Sequence, residues 1–146
     1  MRKYVFISIG CFLGAIARYF MKSIHIWGYQ ENIPLNTLII NVLGSLLLAL
    51  ILTVSFEIWE FDSDIRIGIT TGLLGAFTTF STLCKETAEL LGSGDYFSAV
   101  SYVTVSAMLG LGAAYFGIVL AREVLAKFMR GKEKPEELLE IERDVE

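Results

Sequence analysis

Residues 35–56, "LNTLIINVLGSLLLALILTVSF", contain no Asp, Glu, Lys or Arg. A helix needs about 20 predominantly apolar residues to cross the hydrocarbon core of a bilayer, and this run has that length. Three further runs match it: residues 4–21, interrupted only by Arg18 near the end, and the uncharged runs 67–84 and 97–121. A cleaved signal peptide would account for the first run alone. A water-soluble helical bundle would need amphipathic stripes with charged outer faces, and the last three runs have none. The expectation is an all-α, multi-pass membrane protein with four transmembrane helices, placed in the cell (inner or plasma) membrane.

Composition agrees. The chain has 146 residues, 54% of them apolar, a mean hydropathy of +0.59 and 19% charged residues. The charge is segregated: residues 122–146 hold six Lys/Arg and eight of the sixteen Asp/Glu. The chain therefore divides into a transmembrane domain, residues 1–121, and a charged, solvated C-terminal tail, residues 122–146. In the tail, Pro135 followed by "EELLEIERDVE" reads as a helix start with acidic residues in its first turn. A net charge of -4 excludes a basic nucleic-acid footprint. The connections 22–34, 57–66 and 85–96 are too short for a soluble domain. His25, Trp27, Tyr29 and Trp59 sit near span ends, as an interfacial aromatic belt would. Cys11 and Cys84 read as small apolar packing residues.

The spans carry polar faces. In the second, Thr37, Asn41 and Ser45 recur every four residues, with Gly44 beside them, and so share one helix face. An asparagine in lipid is costly unless its amide finds partners. Two readings stand: glue between helices, or a polar track lining a path. In the fourth span Ser98, Tyr102, Ser106, Gly110 and Ala114 repeat the four-residue spacing. In the first, Gly10 and Gly14 form a packing seam, and Arg18 one turn later is either snorkelling to the interface or marking an anion entrance.

The third span is the most unusual. Between residues 67 and 84 it holds Thr70, Thr71, Thr78, Thr79, Ser81 and Thr82, with glycines at 68, 72 and 75. Gly75 and the β-branched pair Thr78-Thr79 weaken a helix at its centre. Irregular backbone at membrane depth is tolerated only in contact with protein or a cavity. A break here would free carbonyls for a cation and aim side chains at a path. Packing of the hydroxyls within a continuous helix is the competing reading. Ring edges of phenylalanine are electropositive, so Phe77 and Phe80 beside amide and hydroxyl donors would suit a small anion without a fixed positive charge.

Taken together, "GCFLGAIARY", "NTLIINVLGS" and "GLLGAFTTFSTL" resemble the CrcB/Fluc family of fluoride channels over the four spans, about residues 4–121. The resemblance implies an antiparallel, dual-topology dimer with the third helix broken near its centre. It implies a structural, untransported sodium ion held at the dimer centre by the backbone carbonyls of Gly75 and Thr78. It implies a fluoride path lined by Asn41, Phe80, Ser81 and Thr82, with Thr37, Tyr102 and Ser106 further along. One position departs from the family: Leu83 stands where a second phenylalanine is usual, and leucine has no electropositive ring edge. The implied partners are fluoride, membrane lipid and a second subunit. A homodimer is favoured, and a heterodimer with a relative is the alternative.

Two other classes compete. A proton-coupled exporter of small cations needs an intramembrane carboxylate, and runs two to four contain none. A non-transporting assembly subunit would use its polar faces for packing only. No nucleophile–base constellation is visible, so the chain is expected not to be an enzyme.

Overall fold

The computed structural model describes residues 1–23, 33–57 and 62–143, with side chains described up to residue 123. The expected belt residues His25, Trp27, Tyr29 and Trp59 lie outside them. The described residues are helical, with no strand among them. Helix α1 spans Arg2–Ser23 and α2 spans Leu35–Glu57. The third span opens with α3, Ser63–Ile67, continues as a π-helical segment, Gly68–Leu74, then α4, Gly75–Phe77, and ends with α5, Phe80–Gly92. Helix α6 runs from Tyr96 to Arg143. Among the described residues, four stretches are long and apolar enough to cross a membrane: Arg2–Ser23, Leu35–Glu57, Ser63–Gly92 and Tyr96–Glu123.

The helices pack as two pairs, α2 along α6 and α1 along the third span. Glycine decides both contacts. A Cβ on Gly14 would run into the carbonyl of Leu73, and one on Gly72 would lie 2.6 Å from the carbonyl of Ile7. The α1 seam expected at Gly10 and Gly14 therefore lies directly on π-helical backbone. On the other pair, a Cβ on Gly117 of α6 would come within 2.6 Å of the carbonyl of Leu46. Without a hydrophobic driving force between helices in lipid, such close backbone approach is a main source of association.

Two sequence expectations change. Residues 85–92 were expected in a connection but belong to α5, and the turn to α6 occupies only Ser93–Asp95. The helix continues because Leu90 is buried with Leu83, Ala99 and Tyr102, while Lys85 and Glu89 pair across one turn at 3.4 Å. The chain then reverses at Gly94, whose φ of 82° suits glycine. The tail helix expected to begin at Pro135 is instead the continuation of α6, helical through to Arg143. The tail's many Glu, Lys, Leu and Arg residues favour helix.

Among the described residues the buried apolar core is small: Ile40, Leu74, Phe77, Leu83, Leu90, Ala99, Tyr102 and Ala121. Large apolar side chains on α1 and α6, including Phe12, Tyr19, Met108, Leu111 and Tyr115, are exposed. In a bilayer such surface meets lipid or another subunit rather than water.

Candidate functional site

Helical backbone stops at Phe77 and restarts at Phe80. Thr78 (φ -73°, ψ 156°) and Thr79 (φ -147°, ψ 103°) are extended between α4 and α5. The last helical bond before them is Thr78 N–H to the Leu74 carbonyl, 3.0 Å. In a continuous helix the next N–H, that of Thr79, would bond the carbonyl of Gly75. Here it donates to Asn41 Oδ1 at 2.8 Å, and Asn41 Nδ2 donates back to the Thr79 carbonyl at 3.1 Å. One side chain on α2 thus holds both backbone groups of one residue. The paired donor and acceptor also fix which end of the amide is oxygen. Thr79 starts α5 in turn: its Oγ1 accepts from Thr82 N–H at 3.2 Å, the usual work of a threonine N-cap. The same oxygen lies 2.7 Å from Thr82 Oγ1 and 3.3 Å from Ser81 Oγ. The seat for Thr78 is glycine again, since a Cβ on Gly44 would collide with Thr78 Cγ2.

Beside this extended pair lies a cavity of about 390 Å³, walled by α2, the third span and α6. Asn41, Gly75, Thr78, Phe80, Leu83 and Ser106 are among its lining residues. The polar faces anticipated on the second and fourth spans therefore converge on the middle of the third. Ser106 Oγ is buried without a hydrogen-bond partner among the described residues. Asn41 has a second Nδ2–H beyond the one given to Thr79. Phe80 is 78% exposed in the single chain, whereas Phe77 and Leu83 are buried. Leu83 belongs to the core with Tyr102, so its apolar side chain is spent on packing as well as on the cavity wall.

A second polar group lies one helical turn further along α5. Glu86 Oε1 accepts from Thr37 Oγ1–H at 2.9 Å, and Oε2 accepts from the Tyr102 hydroxyl at 2.8 Å. Lys22 Nζ is 3.8 Å from Oε1. Thr37 and Tyr102 are each 1% exposed, so two fully buried hydroxyls converge on one carboxylate. Sequence reading singled out both hydroxyls and missed Glu86, because the apolar run was ended at Cys84. The available signal was its spacing: Glu86 follows Thr82 by four residues and shares its helix face. Arg18, half-buried on α1, hydrogen-bonds to neither group.

The arrangement places neutral donors, an aromatic ring and the extended backbone of Thr78 and Thr79 around one cavity. Among the described residues no group of three His, Cys, Asp or Glu could hold a metal ion, so any cation here would rest on backbone or hydroxyl oxygen.

Known proteins share this framework. The family model described as CrcB-like protein, Camphor Resistance (CrcB), matches residues 5–118. The fluoride-specific ion channel FluC of Thermosipho melanesiensis is 41% identical over 121 residues, covering 82% of this chain and 96% of that protein. FluC 1 of Moorella thermoacetica is 41% identical over 119 residues, covering 82% and 85%. FluC 1 of Bacillus anthracis is 38% identical over 132 residues, covering 88% and 96%. With the matching region carrying all four membrane-spanning helices, the chain belongs to the CrcB family and is a multi-pass membrane protein.

Proposed function

We propose that this chain is a passive fluoride channel, not an enzyme, through which cytoplasmic fluoride leaves the cell. Hydrogen fluoride crosses membranes and ionises inside, and the resulting outward gradient needs only a selective path. The observation that carries this reading is the cavity where Asn41 and the unpartnered Ser106 hydroxyl meet Phe80. Fluoride is small and strongly hydrated, so its path must replace water with donors. Neutral N–H, O–H and ring-edge donors can do so while letting the ion leave, which a fixed cation would oppose. The relatives named as fluoride-specific channels support the same ion.

The proposal extends to assembly. Thr78 and Thr79 are read as the break of the third helix, and the exposed Phe80 as a ring completed by a second, antiparallel subunit. A sodium ion at the dimer centre fits the chemistry of the donors present. The carbonyl of Gly75 lacks its helical N–H partner, that of Thr78 lies in extended backbone, and both residues line the cavity. Sodium favours such oxygen ligands. Bound there, it would supply positive charge that holds the two breaks together.

Purified protein in liposomes loaded with fluoride tests the function. A fluoride electrode should record rapid efflux once the membrane potential is collapsed, with chloride efflux far slower. Folded protein that passes no fluoride, or passes chloride equally, overturns the reading.

A further inference from the structure

We propose that the extension of α6 beyond the membrane is a lipid-binding element: its basic first half docks on anionic phospholipid headgroups. This inference does not rest on the channel reading, and the family match, residues 5–118, ends before the extension begins. Helix α6 is unbroken from Tyr96 to Arg143, while its membrane-crossing stretch closes at Glu123. Residues 124–143 therefore leave the bilayer on the same helix, over a length of about 30 Å.

The register of α6 decides where the extension carries its charge. One stripe packs on α2: a Cβ on Gly117 would lie 2.6 Å from the Leu46 carbonyl, and Ala121 is 2% exposed. Steps of three and four residues carry that stripe to Val124 and Phe128. The opposite stripe is apolar and exposed along the span, with Phe116 at 56% and Val119 at 36%. The same steps carry it through the exposed Glu123 to Lys127, Arg130 and Lys134. One face of one helix is thus apolar where it meets acyl chains and basic just beyond them.

Charge changes again along the axis. Residues 122–134 carry five Lys/Arg and two Glu, whereas residues 135–146 carry six Asp/Glu and one Arg. Lys127, Arg130 and Lys134 lie about 9, 14 and 20 Å beyond residue 121 along the axis. The uncharged run 97–121 is about 37 Å long against about 30 Å of hydrocarbon, an excess that tilt absorbs, and tilt lowers all three positions towards the surface. Lys127 and Arg130 then fall within the headgroup layer and one Debye length of it, about 8 Å at physiological salt, with Lys134 at the edge. The acidic half lies farther out, where an anionic surface repels it least. Attraction of a span-end cation cluster to anionic headgroups strengthens binding about fivefold for each Lys or Arg.

Amide hydrogen exchange of the full-length protein in lipid nanodiscs tests this, since a bound surface suppresses local opening of a helix. In phosphatidylglycerol, amides 127–134 should exchange at least about tenfold more slowly than in phosphatidylcholine, as two or three such cations imply. Raising salt to about 0.5 M should remove the difference. Combining Lys127→Gln, Arg130→Gln and Lys134→Gln should bring exchange in phosphatidylglycerol to the phosphatidylcholine rate, whereas Glu140→Gln should leave the contrast in place. Should the triple variant fail to fold, the salt titration of the wild type makes the same test without substitution. Equal exchange in the two lipids overturns the proposal. So does a contrast that survives the triple variant or high salt. Slow exchange in both lipids overturns it too, and would place the basic stripe against a second subunit.

Discussion

The two hydrogen bonds between Asn41 and Thr79 decide what loss of the Asn41 side chain would do. Asn41→Ala strips partners from both the N–H and the carbonyl of Thr79. A buried backbone group left unpaired costs about 1–3 kcal/mol. The variant should therefore melt earlier in detergent and lose fluoride efflux. Unchanged melting together with normal efflux would show that neither the clamp nor the path depends on it. Glu86 makes a similar case. Glu86→Ala leaves the buried Thr37 and Tyr102 hydroxyls without their shared acceptor, and a hydrogen bond to a charged group contributes about 1.5–3 kcal/mol. Glu86→Gln keeps one oxygen and should fall between wild type and Glu86→Ala in thermal melting; equal melting of all three would remove the carboxylate from the packing account. The sequence made Asn41 conspicuous, as a lone amide on an uncharged span. It did not make its partner visible, because Thr79 lies 38 positions away and the bond goes to backbone, which has no sequence signature. Glu86 was overlooked for the opposite reason: charge is the usual mark of a span's end, and here the helix carries its carboxylate inward onto two hydroxyls.

At the scale of elements, the α1 contact with the π segment and the extended pair at Thr78-Thr79 make separate predictions. Gly14→Ala places a methyl against the Leu73 carbonyl, whereas Gly112 has nothing within 4 Å of a new Cβ. Gly14→Ala should lower the melting temperature or abolish folding. Gly112→Ala should be neutral or slightly stabilising, since glycine in a helix interior costs roughly 0.5–1 kcal/mol relative to alanine. Tolerance of Gly14→Ala equal to that of Gly112→Ala would disprove the close approach. For the proposed cation site, Thr78→Ser keeps the backbone carbonyl and a hydroxyl able to bond Leu74, as Thr78 does at 2.9 Å. Gly75→Val adds a β-branched side chain beside the freed carbonyl. Thr78→Ser should retain more efflux than Gly75→Val, and replacing sodium with a large organic cation should slow the wild type. The reverse order of the two variants, or indifference to sodium, counts against carbonyl binding of the ion. Four spans were legible because twenty apolar residues have few other uses. The unusual composition of the third, with Gly75 and two adjacent threonines, was legible as well. The π-helical stretch at Gly68–Leu74 was not: its cause is the α1 backbone pressed against Gly68 and Gly72, a contact between elements about 60 residues apart in sequence.

For the whole molecule, charge placement decides which way the chain sits in the membrane. The structure groups its charges by end. Arg2 pairs with Asp62, and Arg122 pairs with Glu57, with Arg66 nearby. The other end holds Lys22 on Glu86 and Lys85 on Glu89. The tail adds Lys127, Arg130, Lys132 and Lys134 to the first end. Lys and Arg near span ends favour the cytoplasm, and Asp and Glu offset them little, so the preferred orientation has both termini inside. An antiparallel homodimer needs copies in both orientations, and closed dimers of one chain are the commonest assembly. The expectation is a skewed mixture: when the chain is expressed alone, a single cysteine near the C-terminus is labelled from both sides, with the cytoplasmic side in excess, and fluoride efflux is present. Exchanging Lys127, Arg130, Lys132 and Lys134 for glutamine should even out the labelling and raise efflux per unit of protein, because more copies find an inverted partner. Labelling from the cytoplasmic side only, with no efflux until a second relative is co-expressed, would replace the homodimer by a heterodimer. The position of Leu83 then gains a reason, since an oppositely oriented relative could bring the aromatic ring that this chain lacks.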